Sequence, residues 1–204
     1  NRTFAFQQLF GAGKEEFHTP QQYGATGNGS TNDTAALQIA FASQRDIYVP
    51  KGTYLVNAEI EIFGNVYCEH GAVFKVVASY SGTLFRIKSK KNLLIDGLYI
   101  DATDTGITAT GLKIEGLWNS TFQNYTFLAR NIATVDTTSI GVDIFTSEPS
   151  GSGSGLGWGT YTITFNNPYI QSGNVGFRTQ RQTGDTGIDV THLKINGGWI
   201  GSQN

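Results

Sequence analysis

The stretch LLIDGLYID (Leu93–Asp101) reads as two short apolar segments on either side of a polar turn, the pattern of two short strands. It recurs without gaps in segments that begin at Val66, Ser120, Ile163 and Leu193, so that the copies lie 27, 27, 43 and 30 residues apart. The third and eighth positions are apolar in every copy and are expected to face inward: Cys68, Ile95, Phe122, Phe165 and Ile195, then Val73, Ile100, Phe127, Ile170 and Ile200.

A second set of strands precedes these copies and supports the same period. Its segments LFRIKS, GLKIEG, GVDIFT and GFRTQR begin at Leu84, Gly111, Gly141 and Gly176. Successive coils of a solenoid stack at ~4.8 Å, so their inward positions join into continuous apolar columns. The repeats therefore predict a three-sided β-solenoid. The expected inward residues are Phe85, Leu112, Val142 and Phe177, and the outward ones are Arg86, Lys113, Asp143 and Arg178.

Composition agrees with an all-β protein and excludes several classes of function. The 26 glycines and the 12% of aromatic residues suit a chain of strands and turns. A net charge of -2 indicates neither a nucleic-acid partner nor an anionic membrane. No apolar run approaches the ~20 residues that membrane insertion needs.

Motifs for metals and cofactors are also missing from the sequence. Cys68 is the one cysteine, has no zinc-ligand spacing around it, and is expected to be a small buried side chain. There is no phosphate loop, no serine elbow and no HExxH motif. We therefore predict no cofactor and no metal.

The stretch YGATGNGSTNDTAALQIAF (Tyr23–Phe41) predicts a helix at the start of the solenoid. Either Asn32 or Asp33 can act as the N-cap. A helix of about 10 residues would cover the first coil, whose core and strand edges are otherwise open. The residues expected on its buried face are Ala36, Leu37, Ala40 and Phe41.

Together with IYVPKGTYLV (Ile47–Val56), which predicts a strand to Val49, a turn and a strand from Thr53, this stretch resembles the opening signature of the pectate-lyase-like superfamily. That signature is a GDGxxDDTxAIQ segment followed by PxGxY. The resemblance implies an all-β, right-handed, single-stranded parallel β-helix with an N-terminal capping α-helix. The matching residues are Gly27, Gly29, Asp33, Thr34, Ala36, Gln38, Pro50, Gly52 and Tyr54, whereas Asn28 and Asn32 replace the usual aspartates.

Lyases, hydrolases, epimerases and phage tailspikes share this signature, so it does not define the function. Among them the chain most resembles the N-terminal part of a bacteriophage tailspike. Residues 1–21 read as a connector to the virion tail or baseplate, 22–56 as the capping helix and first strands, and 57–204 as coils that we expect to continue further. The resemblance implies a homotrimer on the virion that recognises a bacterial surface polysaccharide and degrades it by hydrolysis or lysis. In such proteins the active site usually lies farther along the helix or between chains.

Acidic residues are the catalytic candidates, because glycosidic cleavage uses two carboxyl groups about 5 Å or about 6.5–9.5 Å apart. Glu69 and Asp96 occupy the fourth position of adjacent copies, and form either a catalytic pair or the start of a hydrogen-bonded turn ladder. Asp185 and Asp189, in TGDTGIDVTH, either converge on a sugar or a calcium ion or are solvated turn residues, and a calcium loop would need a denser run of carboxylates.

Trp158 and Arg178 are the candidates for substrate binding. Trp158 lies within the insertion SEPSGSGSGLGWG, and either offers a sugar-stacking platform or covers a core edge or a neighbouring chain. Arg178 belongs to the outward column, where Asp143 lies between it and Lys113. We expect Asp143 to form ion pairs in this column and not to act as an acid.

Two further functions remain open. One is a secreted polysaccharide lyase or hydrolase that acts alone. A lyase would gather a calcium-binding acidic cluster and a basic residue on one face, and the outward column supplies only Arg86, Lys113 and Arg178. The other is a non-catalytic adhesin or structural spike, which would bind sugar through aromatic residues.

Overall fold

The computed structural model describes residues 17–104, 106–129, 138–146, 159–172, 174–181 and 190–202. These residues form one 3₁₀ helix (Pro20–Tyr23), one α-helix, α1 (Thr34–Ala42), and a series of strands. None of the described helices is long and apolar enough to cross a membrane. In chain order the strands are β1 (Asn28–Asn32), β2 (Ile47–Val49), β3 (Gly52–Val56), β4 (Ile60–Glu61), β5 (Val66–Cys68), β6 (Ala72–Val76), β7 (Ser81–Lys91), β8 (Leu94–Asp96), β9 (Tyr99–Asp101), β10 (Thr108–Gln123), β11 (Thr126–Leu128), β12 (Ile140–Phe145), β13 (Tyr161–Asn166), β14 (Tyr169–Ser172), β15 (Val175–Gln180), β16 (Thr191–Asn196) and β17 (Trp199–Ser202).

These strands pair in parallel as three ladders, which the chain visits in the same order on each coil. The first ladder contains β4, β7, β12 and β15, the second contains β2, β5, β8, β13 and β16, and the third contains β1, β3, β6, β9, β11, β14 and β17. The long strand β10 serves two ladders. Residues 108–118 pair with β7, and within them residues 110–115 pair with β12, whereas residues 118–123 pair with β13, and within them residues 121–123 pair with β8. The chain is therefore all-β and parallel, as predicted.

The predicted register is confirmed from the second copy of the repeat onward. In the second ladder Phe122 lies opposite both Ile95 and Phe165, and Ile195 lies opposite Phe165. The third ladder repeats the same steps, with Phe127 opposite Ile100 and Ile170, and Ile200 opposite Ile170. Ile195 and Ile200 lie in the inward columns yet are 39% and 44% exposed, because no described strand pairs beyond them.

The register predicted for the first copy is wrong. Val66, not Cys68, lies opposite Ile95, and Phe74, not Val73, lies opposite Ile100. Phe74 is buried and Val73 is only half-buried. The cause is a longer turn between β5 and β6, which the gapless alignment does not allow for. In β5 the register differs from the prediction by two residues, so the same face of the strand points inward. In β6 it differs by one residue, so the two faces of the strand are exchanged.

The second set of strands has the predicted register and supplies much of the core. Leu112 lies opposite Phe85 and Val142, and Val142 lies opposite Phe177. The first three of these side chains are fully buried, and Phe177 packs partly buried against them. Their neighbours Arg86, Lys113, Asp143 and Arg178 are likewise in register and form the outward column.

Two columns of left-handed residues turn the chain between ladders. The first corner, between the first and second ladders, consists of Asn92, Asn119, Thr162 and His192, with φ of 56°, 44°, 53° and 57°. The second corner, between the second and third ladders, consists of Gly97, Asn124, Asn167 and Gly197, with φ of 74°, 52°, 52° and 63°. Glycine and asparagine adopt this conformation most readily, so the predicted polar turn is confirmed and has a backbone cause.

The capping helix α1 forms as expected, and its residues Leu37, Ala40 and Phe41 are buried in the core, whereas Ala36 is only partly buried against it. Asp33 occupies the N-cap position, but its carboxylate turns away from the helix. It instead accepts hydrogen bonds from the backbone N–H groups of Thr26 and Gly27 at 2.7 and 3.1 Å. Asn32 takes over the capping role, since its side-chain oxygen accepts a bond from the Thr34 N–H at 3.0 Å.

The signature residues pack together beside this helix. The Tyr54 hydroxyl donates to the Pro50 carbonyl at 2.7 Å and accepts from the Gln21 amide at 2.7 Å. A Cβ at Gly52 would stand 2.7 Å from the Gly27 carbonyl oxygen, so only glycine fits between the two turns. The predicted division at residues 21 and 56 stays a prediction, and most of the predicted connector lies outside the described residues.

Candidate functional site

The outward face of the first ladder carries a cluster of charges that we call the charged face: Glu59, Arg86, Lys113, Glu115, Asp143, Arg178 and Gln180. Alternation along each strand sets these side chains opposite the core, and the parallel register aligns them across coils. The predicted outward column lies within this cluster, so the sequence pattern located part of the charged face. The ion pairs and the burial of these side chains, however, differ from those of an exposed surface column.

Asp143 is almost completely buried, with 4% of its surface exposed. Arg178 donates to both of its carboxylate oxygens, from Nε at 3.0 Å and from Nη2 at 2.7 Å, and the Gln180 amide lies 2.8 Å from each oxygen. The hydrogen bond and charge of Asp143 raise the pKa of Arg178 despite partial burial. The prediction that Asp143 forms ion pairs is confirmed for Arg178, whereas Lys113 bonds to a different carboxylate.

That second carboxylate is Glu115, which the sequence analysis missed. It is 1% exposed, and it accepts bonds from Arg86 Nε and, at 2.9 Å, from Lys113 Nζ. Burial lowers the pKa of Arg86, but the hydrogen bonds and charges of Glu115 and Glu59 outweigh this effect and raise it. The only signal in the sequence is the position of Glu115 two residues after Lys113, which puts it on the same face.

Both buried carboxylates are thus held by cations, and this limits the chemistry of the charged face. A general acid must carry a proton, yet every oxygen of Glu115 and Asp143 already accepts a bond from a cationic or amide group. The carboxylates instead fix the positions of Arg86, Lys113 and Arg178, which stay partly exposed. The arrangement suits the binding of a polar ligand better than proton transfer.

Glu69 directly follows β5, and Asp96 is the last residue of β8. Glu69 Oε2 accepts from the Lys51 N–H at 3.0 Å, and Asp96 Oδ1 accepts from the Asn124 amide at 3.0 Å. The register sets Asp96 opposite Tyr67, so the two acids are not the neighbours that the alignment predicted. Asn167 donates in turn to Asn124 at 3.2 Å, which makes Asp96 the first member of a hydrogen-bonded turn ladder.

Of the other predicted site residues, Asp185, Asp189 and Trp158 lie outside the described residues. Arg178 belongs to the charged face, as set out above. Among the described residues no group of three or more histidine, cysteine, aspartate or glutamate side chains is close enough together to hold a metal ion.

An aromatic group lies at the first corner, beside the charged face. Trp118 has Lys91 and Tyr161 as its register partners on the two adjacent strands. Its indole N–H donates to the Gly159 carbonyl at 2.8 Å, and the Tyr161 ring meets it edge-on at a centroid distance of 5.4 Å. Trp118 nonetheless remains 41% exposed. We call Lys91, Trp118 and Tyr161 the corner column.

Fold and sequence together define the class of protein. Residues 19–200 match the family described as rhamnogalacturonase A/epimerase, pectate lyase-like, and the chain belongs to that family. It is also similar to the preneck appendage protein of Bacillus phage PZA and the pre-neck appendage protein of Bacillus phage phi29, with 27% identity to each over 138 residues. The matched region is 60% of this chain but only 16% of either phage protein. No solved structure matches the chain.

Proposed function

We propose that the chain is a right-handed parallel β-helix domain of a phage tailspike, a virion appendage that binds polysaccharide on the bacterial surface. The observation that carries this proposal is the similarity to the appendage proteins of two Bacillus phages, within a pectate-lyase-like family. Because the chain spans a small part of those proteins, the activity, substrate and assembly of the whole protein are all part of the proposal.

The pairing pattern supports the β-helix. The chain passes from the first ladder to the second and third and then returns to the first, always to a parallel partner. Parallel strands joined by such crossovers are right-handed in nearly all known proteins. We assign the same hand to this chain, with α1 as the cap of its first coil.

Degradation of the bound polysaccharide, by glycoside hydrolysis or lysis, is the second part of the proposal and is favoured by the family. Glu69, Asp96, Asp185 and Asp189 remain the proposed acids, and Trp158 and Arg178 the proposed sugar contacts. The bonds that hold Glu69 and Asp96 in their turns favour a structural role for this pair. We further propose a homotrimer whose N-terminal side attaches to the virion.

The test is a binding and cleavage assay on the purified full-length protein with a panel of capsular, lipopolysaccharide and cell-wall polysaccharides. We expect saturable binding to at least one member. New reducing ends would identify a hydrolase, ultraviolet-absorbing unsaturated products a lyase, and binding without either product an adhesin. Failure to bind any member of a panel that includes the surface polymers of the host would contradict the proposal.

A further inference from the structure

We propose that the corner column, Lys91, Trp118 and Tyr161, is a binding subsite for a sugar unit that carries an anionic group. The inference rests on the proposed function, because it assigns polysaccharide recognition to one place on the chain. It differs from the candidates that the sequence suggested, since none of the three residues was among them.

The aromatic part of the subsite is held rigidly. The register fixes the backbone of Trp118 between two strands, and the bond to Gly159 uses the one polar atom of its indole. What stays exposed is therefore the carbon surface of the ring, which suits the C–H face of a pyranose. Because the ring is fixed before a ligand arrives, little side-chain freedom is lost on binding.

Gly159 makes room for the second ring. A Cβ at this position would stand 2.4 Å from a ring carbon of Tyr161, so a larger residue would displace the phenol. The Tyr161 ring instead lies against the backbone at Gly159 and contacts Trp118 at an interplanar angle of 78°. The first corner continues this rigidity, since the Asn119 amide donates to Asn92 at 3.0 Å.

The neighbouring charges are positive. The segment RIKSKK (Arg86–Lys91) holds four cations and no acid. Arg86 is bound to Glu115 and Glu59, and Lys90 Nζ lies 4.2 Å from the centroid of the Phe63 ring. Lys88 makes no ion pair within the described part of the chain, but it is the register partner of Glu115 and therefore lies on the charged face, not in the corner column.

Lys91 lies close enough to act on a sugar stacked at Trp118. Lys91 is the register partner of Trp118, so their Cα atoms are about 4.8 Å apart. A carboxylate or phosphate on the stacked unit would therefore lie within reach of an ammonium group, and the attraction would weaken with salt. A neutral sugar would gain only the stacking.

The test measures binding of the 204-residue chain to the uronic-acid and phosphate-bearing members of the polysaccharide panel. Each is used before and after carboxyl reduction or phosphate removal, which distinguishes the two sources of charge. The variants are Trp118→Ala and Lys91→Gln. Trp199→Ala is the matched control, because Trp199 is a similarly exposed tryptophan, 47% against 41% for Trp118, and is stacked on Tyr169 in the third ladder.

We expect Trp118→Ala to weaken binding about tenfold, which corresponds to ~1.4 kcal/mol. The lysine variant should lose the preference for the charged polymer and part of the salt dependence, and the control should bind like the unaltered chain. Equal binding of charged and neutralised polymers, or binding that neither variant changes, would overturn the subsite alone. Absence of binding by the unaltered chain would also overturn the subsite, whereas the proposed function is decided separately by the assay on the full-length protein. Should Trp118→Ala fail to fold, the lysine variant still decides the outcome.

Discussion

At the scale of single residues, the least predictable feature is the pair of buried acids on an outward face. Alternation alone marks Glu115 and Asp143 as solvent-facing, yet both are almost fully covered by the cations that bind them. The pattern gives the face of a side chain but not the partners that surround it. Asp33 shows the same limit, because its position predicts a helix cap whereas its carboxylate holds the glycine turn at Thr26 and Gly27.

The burial of Glu115 leads to a prediction on stability. Glu115→Ala leaves Arg86 and Lys113 without their shared carboxylate, and loss of one partner of a buried ion pair costs about 3–5 kcal/mol. Urea unfolding should show this loss. The control is Asp104→Ala, which removes the exposed pair with Lys75 and should cost about 1 kcal/mol or less. Similar losses in the two variants would show that the charged face is solvated.

Cys68 leads to a prediction on pH. Burial raises the pKa of its thiol above the ordinary value of 9.0, so the folded chain keeps a proton that the unfolded chain loses. The contribution of the protonated thiol to the free energy of unfolding is fully present below pH 9 and is lost as the pH rises above that value. Between pH 7 and pH 10 the unaltered chain should therefore lose about 1.4 kcal/mol more than Cys68→Ala in urea unfolding. Equal losses would contradict the raised pKa of the Cys68 thiol.

At the scale of elements, the sequence predicts strand register well wherever the turns have a constant length. The steps of 43 and 30 residues are confirmed because their extra residues lie outside the nine-residue pattern. The first copy fails because its extra residues lie inside the pattern, between β5 and β6. In β6 the choice between Val73 and Phe74 cannot be made from polarity, since both are apolar.

The second corner can be tested by substitution. Asn124 has φ of 52° and links Asp96 to Asn167 through its side chain. Asn124→Ala keeps the residue in the strained left-handed conformation and removes the side-chain amide that bonds Asp96 and Asn167. The free energy of unfolding, measured by heat or urea, should fall by about 1–2 kcal/mol. Asn124→Gly removes the strain and should cost less. If Asn124→Gly lowers the free energy of unfolding as much as Asn124→Ala does, the side-chain hydrogen bonds of Asn124, and not its left-handed backbone, determine the turn.

At the scale of the whole molecule, the sequence predicts the all-β class, the cap and the family, because repetition and the opening signature extend along most of the chain. It does not locate the proposed binding surface. The corner column joins residues from three strands far apart in sequence, and only the register brings Lys91, Trp118 and Tyr161 side by side. The basic run beside Lys91 is visible in the sequence, but its nearness to an exposed tryptophan is not.

We propose that this chain is a right-handed parallel β-helix whose outer surface binds polysaccharide. The most direct measurement is a crystal structure of the full-length protein with a fragment of a polysaccharide that it binds. We predict right-handed coils in which Phe122 lies between Ile95 and Phe165, with the sugar on the outward side of the ladders. Left-handed coils, a different strand register, or a sugar bound only away from these coils would contradict the account.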